Sequence, residues 1–198
     1  MPTFRTIYSR LLVLCLLLPA CGGAEVKDDD ENEELALEIT GEGEVHKFDL
    51  NGDGAPDVWK TFTTTTAGDK SSRLLGRAEL DVNFDGQVDI TQFFAATGAM
   101  VRESMDMDFD GKIDAVDHYK DGELIRREVF LNFNETPSIW KFYESNELVR
   151  KESDTRGDGK ADTFEFFEKG KISKVGFDSN ADGRPDRYEL PGDDKKRN

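Results

Sequence analysis

After about residue 41, apolar and polar residues alternate along the chain, and the alternation itself recurs. The segments "VWKTF", "ITQFF", "AVDHY", "IWKFY" and "TFEFF" are rich in β-branched and aromatic residues. Most are followed by a turn pair: Thr97-Gly98, Asp121-Gly122, Ser145-Asn146 or Lys169-Gly170. A returning segment comes next: "AMVRESM", "ELIRREV", "ELVRKES" or "KISKVGF". A period of two with this composition predicts strands rather than helices. A turn pair between two such runs predicts a hairpin, whose two central residues take positive φ. Trp59, Val116, Trp140 and Phe164 share one position of the repeat, and Phe93, His118, Phe142 and Phe166 lie two residues on. The stretch Thr61 to Arg73, "TFTTTTAGDKSSR", breaks the pattern and reads as a longer hairpin loop.

Between these hairpins lie acidic stretches: "DLNGDGAPD", "DVNFDGQVD", "DMDFDGKID", "DTRGDGKAD" and "DSNADGRPD", starting at Asp49, Asp81, Asp106, Asp154 and Asp178. A degenerate copy, "FLNFNETPS", starts at Phe130. After the first interval the starts fall every 24 or 25 residues, which marks a repeat architecture. The unit is strand, tight turn, strand, acidic loop. A lone hairpin is marginal in water, so neighbouring units must stack. The expected fold is all-β: tandem β-hairpin repeats of about 24 residues in an antiparallel up-and-down meander. Hairpin turns lie along one edge and acidic loops along the other.

The acidic stretches follow D-x-[DN]-x-D-G-x-x-D. Side-chain oxygens recur at positions 1, 3, 5 and 9, and Gly at position 6 permits the sharp turn that folds them about one point. Six to eight hard oxygens, one of them the backbone carbonyl of position 7, are what Ca²⁺ takes. The candidate ligands are Asp49, Asn51, Asp53 and Asp57; Asp81, Asn83, Asp85 and Asp89; Asp106, Asp108, Asp110 and Asp114; Asp154, Asp158 and Asp162; and Asp178, Asn180, Asp182 and Asp186. Lys112 and Arg184 stand at position 7 of their loops and offer carbonyls. Arg156 occupies position 3 of its loop and weakens it. Phe130, Asn132, Asn134 and Ser138 carry no charge, and Glu135 replaces the turn glycine, so no ion is expected there. The other reading is that Asp, Asn and Gly simply favour turns and bond their own backbone.

These stretches resemble the calcium loops of EF-hands, dockerins and thrombospondin type-3 repeats over nine to twelve residues per repeat. The resemblance implies up to about five Ca²⁺ ions. An EF-hand loop also carries a bidentate acid at position 12. That position holds Lys60, Gln92, Asp117, Lys141, Glu165 and Glu189, so Asp117, Glu165 and Glu189 join the candidates. In a strand, however, position 12 points away from positions 11 and 13, and it then fails to reach the ion. The flanking strands depart from the EF-hand and look more like strand-turn-strand repeats of the MORN type.

The N-terminus places the chain. Arg5 and Arg10 precede an apolar run from Leu11 to Leu18 that is too short to span a bilayer. Basic residues, a short apolar stretch and small residues at a cut describe a secretory signal. Leu18-Pro19-Ala20-Cys21 resembles the lipobox of bacterial lipoproteins, which implies acylation of Cys21 and a lipid anchor in the bacterial cell envelope. With Gly22 following, the family's sorting pattern points to the outer membrane. A plain secretory signal that leaves Cys21 as an odd thiol is the alternative. Residues 1–20 are then the signal, 21–40 the lipidated Cys and an acidic disordered tether, 41–190 the repeat domain and 191–198 a polar tail. Loss of Cys15 with the signal and lipidation of Cys21 would leave no thiol for a disulfide or a metal.

The formal net charge is −16, and losing Arg5 and Arg10 with the signal takes it to about −18. Such a chain is repelled by nucleic acid and attracts cations. No catalytic residues stand out. His46 and His118 are isolated, no phosphate loop or nucleophile elbow occurs, and the many carboxylates repeat one environment where glycosidase chemistry needs two. The expectation is a non-enzymatic, calcium-binding envelope lipoprotein. Its repeats would form a scaffold or binding surface for an envelope protein or glycan. The alternative is an envelope hydrolase or carbohydrate-binding module that uses the aromatic sheet face.

Overall fold

The structure is a computed structural model that describes residues 43–67, 70–131 and 136–192. The leader and tether (Cys21 included), Asn132, Asn134 and Glu135, and the end of the polar tail lie outside the described residues. Twelve strands form the described chain. β1 (Glu44–Phe48), β2 (Val58–Ala67) and β3 (Lys70–Leu80) come first. β4 (Ile90–Phe94), β5 (Met100–Met105), β6 (Ala115–Lys120), β7 (Glu123–Val129) and β8 (Ile139–Glu144) follow. β9 (Glu147–Ser153), β10 (Thr163–Glu168), β11 (Lys171–Phe177) and β12 (Arg187–Glu189) complete the chain. They pair in chain order, each antiparallel to the next, in one open up-and-down sheet. Among the described residues no helix is long and apolar enough to cross a membrane.

The turns follow the sequence closely. Asp121-Gly122, Ser145-Asn146 and Lys169-Gly170 have positive φ at both residues, the hand that matches strand twist. Thr97-Gly98 differs. Only Gly98 is left-handed, and Ala95 N–H donates to the Ala99 carbonyl across a three-residue turn. The repeat starting at Asp81 is one residue longer than the three that follow it, and the extra residue lies in this turn. The stretch from Thr61 to Arg73 is a correction. It is not a long loop but a long hairpin, because β2 and β3 run to 10 and 11 residues where other strands have at most seven. Four threonines in a row, Thr63 to Thr66, suit a β-ribbon, and the longer β2 and β3 together take up the excess of the first interval.

Each hairpin carries a bulge at one register. Thr61/Phe62, Phe93/Phe94, His118/Tyr119, Phe142/Tyr143 and Phe166/Phe167 all mark the shift. On the returning strands this leaves Gly76, Val101, Ile125, Val149 and Ser173 as the extra residues. A bulge increases local twist, so its repetition gives every hairpin the same bend.

All twelve strands share one layer, so side chains pack along the sheet rather than between sheets. On one face, cross-strand neighbours run Arg77, Phe93, Arg102, His118, Arg126, Phe142, Arg150, Phe166 and Lys174. Cations thus alternate with rings. Arg102 lies 4.2 Å from the Phe93 ring centre, Arg150 4.0 Å from Phe142 and Lys174 4.5 Å from Phe166. Such contacts contribute about 0.5–1 kcal/mol each where exposed. Arg126 and Arg150 also pair with Glu128 and Glu152 two residues on, at 3.1 and 3.0 Å. Among the described residues the buried ones are few and mostly small or acidic, among them Ala78, Ala115 and Asp117 in the strands and Asp57, Asp81, Asp89 and Asp106 in the loops.

Candidate metal-binding loops

The acidic loops share one hydrogen-bonding plan. The first Asp accepts from the backbone N–H groups of positions 4 and 6. In the Asp106 loop these are Phe109 at 2.8 Å and Gly111 at 2.7 Å. In the Asp178 loop they are Ala181 at 2.7 Å and Gly183 at 2.8 Å. The ninth residue closes the loop from the other side. One oxygen of Asp114 accepts from Met107 and Asp108 N–H, at 2.7 and 3.2 Å, and Asp57, Asp89 and Asp162 do the same in their loops. Position 6 is a left-handed glycine throughout: Gly54, Gly86, Gly111, Gly159 and Gly183.

Position 4 is left-handed as well, a requirement that the motif conceals. Gly52 and Gly157 meet it without strain, whereas Phe84, Phe109 and Ala181 adopt φ of 63–65°. The two glycines at position 4 were the available signal.

Backbone bonds join the loops into a chain. Asp89 N–H donates to the Leu80 carbonyl, and Asp106 N–H to the Asp89 carbonyl, both at 2.8 Å. The degenerate copy keeps this frame, with Phe130 N–H on the Asp114 carbonyl and Asp154 N–H on the Ser138 carbonyl.

The loops part company in where their acids point. Asp106, Asp108 and Asp114 bring one carboxylate oxygen each within 4.8 Å of one another, the one such group of three among the described residues. Each carboxylate oxygen has two acceptor sites, so the backbone bonds leave capacity for a cation. Loss of hydration and the nearby charges of Asp110, Asp114 and Asp106 push the Asp108 carboxyl above the usual aspartate range. These are the conditions that an oxygen-seeking cation relieves.

Asn at position 3 produces a different arrangement. The Asn51 amide donates to Asp53 at 2.9 Å and Asn83 to Asp85 at 3.0 Å, so the fifth carboxylate is already engaged. The Ala55 N–H and the Asn51 amide hold the Asp53 carboxyl below its ordinary value. The Asn83 amide and the Gln87 N–H do the same for Asp85. In the Asp178 loop the Asn180 amide donates to Asp182 at 3.2 Å, while the Ser179 hydroxyl donates to Asp186 at 2.9 Å.

Several expected ligands stand apart. Asp110 faces the Lys112 ammonium at 3.9 Å and lies outside the three-carboxylate group. Asp117 is 1% exposed and accepts from Arg127 Nε at 2.6 Å in a two-pronged pair. Glu165 pairs with Lys151 at 2.6 Å, and Glu189 with Arg187. Strand alternation turns position 12 away from the loop, so in this sheet it serves cross-strand or same-strand ion pairs.

No protein-family model matches the chain, and no curated protein matches it. Among solved structures, 78% of the chain is similar to 22% of a chain in "Crystal structure of GtfA/B complex", at 14% identity and a TM-score of 0.35. The Glycosylation Associate Protein (Gap123) complex from Streptococcus agalactiae matches over 77% of this chain and 24% of that one, at 10% identity and TM-score 0.31. The complex of accessory secretory protein 1,2 and 3 in Streptococcus pneumoniae matches over 68% and 23%, at 10% identity and TM-score 0.27. The chain therefore spans less than a quarter of each of these neighbours.

Proposed function

We propose that the chain is a non-enzymatic bacterial envelope lipoprotein whose repeat sheet is a calcium-stabilised scaffold. The observation that carries this reading is the convergence of Asp106, Asp108 and Asp114. All three donors are oxygens, which favours a hard cation, and flexible oxygen cages suit Ca²⁺ better than Mg²⁺. Neutralising the cluster would remove the mutual repulsion at the loop edge and stabilise the sheet that the loops join. The Asp49, Asp81 and Asp178 loops share the backbone cradle and are weaker second sites, for up to four ions in all; in the Asp154 loop Arg156 already stands among the acids.

The scaffold part of the reading is supported by the faces. The rings of Phe93, Phe142 and Phe166 are capped by cations, so on these three rings a surface a sugar would stack on is already occupied. Cys21 provides the lipid anchor, the outer membrane is the expected site, and the partner is an envelope protein or glycan.

Calorimetric titration of the chelator-stripped protein tests the calcium part. Binding is expected at roughly 10⁻⁴ to 10⁻³ M, the range of extracellular modules. One site filled at ten times its Kd adds about 1.4 kcal/mol of stability. Heatless titration to millimolar calcium, with a melting curve indifferent to chelator, would reduce the loops to ordinary turns. For the anchor, Cys21→Ser should shift the protein to the soluble fraction or leave the signal uncleaved. Unchanged lipid labelling would end that part.

A further inference from the structure

Four acidic loops carry Asn or Asp at position 3, namely Asn51, Asn83, Asp108 and Asn180; the Asp154 loop carries Arg156. Its guanidinium is spread over two loops. Nε lies 3.5 Å from Asp158 and 3.7 Å from Asp162, the acids at positions 5 and 9 of its own loop. Nη2 lies 3.5 Å from the side chain of Asp178, the first acid of the next loop, and Nη1 donates to the Asp178 carbonyl at 3.0 Å. Asp162 and Asp178 are buried, so a cation beside them is poorly screened. The remaining contacts are also made internally. The hydroxyls of Thr155 and Thr163 donate to the other Asp162 oxygen at 2.7 and 2.9 Å, and Lys160 Nζ donates to the Ala181 carbonyl at 3.3 Å. Where the Asp106 loop turns three carboxylates toward one another, the Asp154 loop holds a tethered positive charge among them.

We propose that Arg156 is the resident counter-ion of the Asp154 loop, tying it to the Asp178 loop and determining that this part of the edge keeps its shape without a metal. The inference deepens the calcium reading and rests on it for one half: the arginine stands in for an ion that the Asp106 loop takes from solution. Arg suits the task because its planar fork reaches several acceptors in fixed directions, which a lysine ammonium does not.

The test compares the full chain with Arg156→Asn, which restores the residue found at Asn51, Asn83 and Asn180, and with Arg156→Lys, which keeps the charge and loses the fork. In chelator, Arg156→Asn is expected to melt several degrees lower than the native chain, with faster amide exchange across 178–186. Arg156→Lys should fall between. In millimolar calcium, Arg156→Asn should recover its melting temperature, and calorimetry should count one ion more than in the native chain. An unchanged melting temperature and exchange pattern in chelator would overturn the proposal. So would a loss that calcium leaves unrepaired in a protein whose other loops bind it. A native chain that takes up no calcium would end the preceding reading alone, since the chelator comparison still decides whether Arg156 holds the two loops together.

Discussion

A single carboxylate illustrates what the Asp106 loop demands. Loss of hydration and then the charges of Asp110, Asp114 and Asp106 raise the Asp108 carboxyl above its ordinary value. A raised carboxyl binds its proton more tightly in the folded chain than in the unfolded one. Its ionisation therefore lowers stability as pH climbs from the ordinary aspartate value, about 3.9, through the raised one. Asp108→Asn should remove that loss. In chelator the variant and the native chain should melt alike near pH 3.5, and the native chain should melt lower at pH 7. In calcium the order should reverse at pH 7, because the variant has lost an ion-binding charge. Equal melting of the two chains at both pH values in chelator would show that the cluster carries no repulsion. A second residue-scale test concerns Asp117, buried against Arg127. Arg127→Ala leaves that carboxylate buried and unpaired, at a cost of about 3–5 kcal/mol. Replacing both partners with Val should restore most of the loss, as a double-mutant cycle in urea would measure.

Elements are held to one another by their rims as much as by their faces. β12 has three residues and forms the last edge of the sheet, against β11. Gly176 on β11 has no side chain there, and Pro185 and Tyr188 pack over it; a Cβ would meet Pro185 at 2.8 Å and the Tyr188 ring at 3.1 Å. Its φ is not in the left-handed region, so the constraint is space rather than backbone strain. Gly176→Ala should push β12 off the sheet and cost about 1–3 kcal/mol, the usual penalty of overpacking. Faster exchange confined to 175–189 would place the effect, and native-like exchange there would refute it. The loop glycines are required for the opposite reason: at Gly111 and Gly183 a φ near 85°, and not space, disfavours other residues.

At the scale of the whole molecule, the described strands form a single layer with no central core to unfold cooperatively. Each repeat touches its neighbours in chain order, so stability is close to a sum of local terms and nearest-neighbour terms. Removing an ion at one loop should then open that region and leave distant repeats closed. In chelator, amide exchange is expected to rise first across 105–116, while 154–178, held by Arg156, stays protected. Uniform loss of protection along the chain would mean that the sheet melts as one unit. The formal charge of −16 works in the same direction, since repulsion along the loop edge grows when cations are withdrawn.

Strands, hairpins, their order and the loop edge were legible from the sequence because each rests on local chemistry. Alternation of period two, the Asp121-Gly122 and Lys169-Gly170 pairs and the loop glycines act within a few residues of themselves. Thr97-Gly98 reads in sequence as a turn pair like the others, and its three-residue form came only with the structure. What needed the tertiary structure depends on partners one repeat away. The motif cannot tell that Asp117 meets Arg127, or that Glu165 meets Lys151, because those pairings follow from the register across strands. Nor can it tell that Asp108 converges with Asp106 and Asp114 while the Asn residues at the same position bind back to Asp53 and Asp85. Arg156 reads in sequence as a defect of one loop. Only the neighbouring Asp178 loop, 3.0 Å from its guanidinium, makes it a link between two. Side-chain type is a property of the chain, whereas which charges share a point in space is a property of the fold.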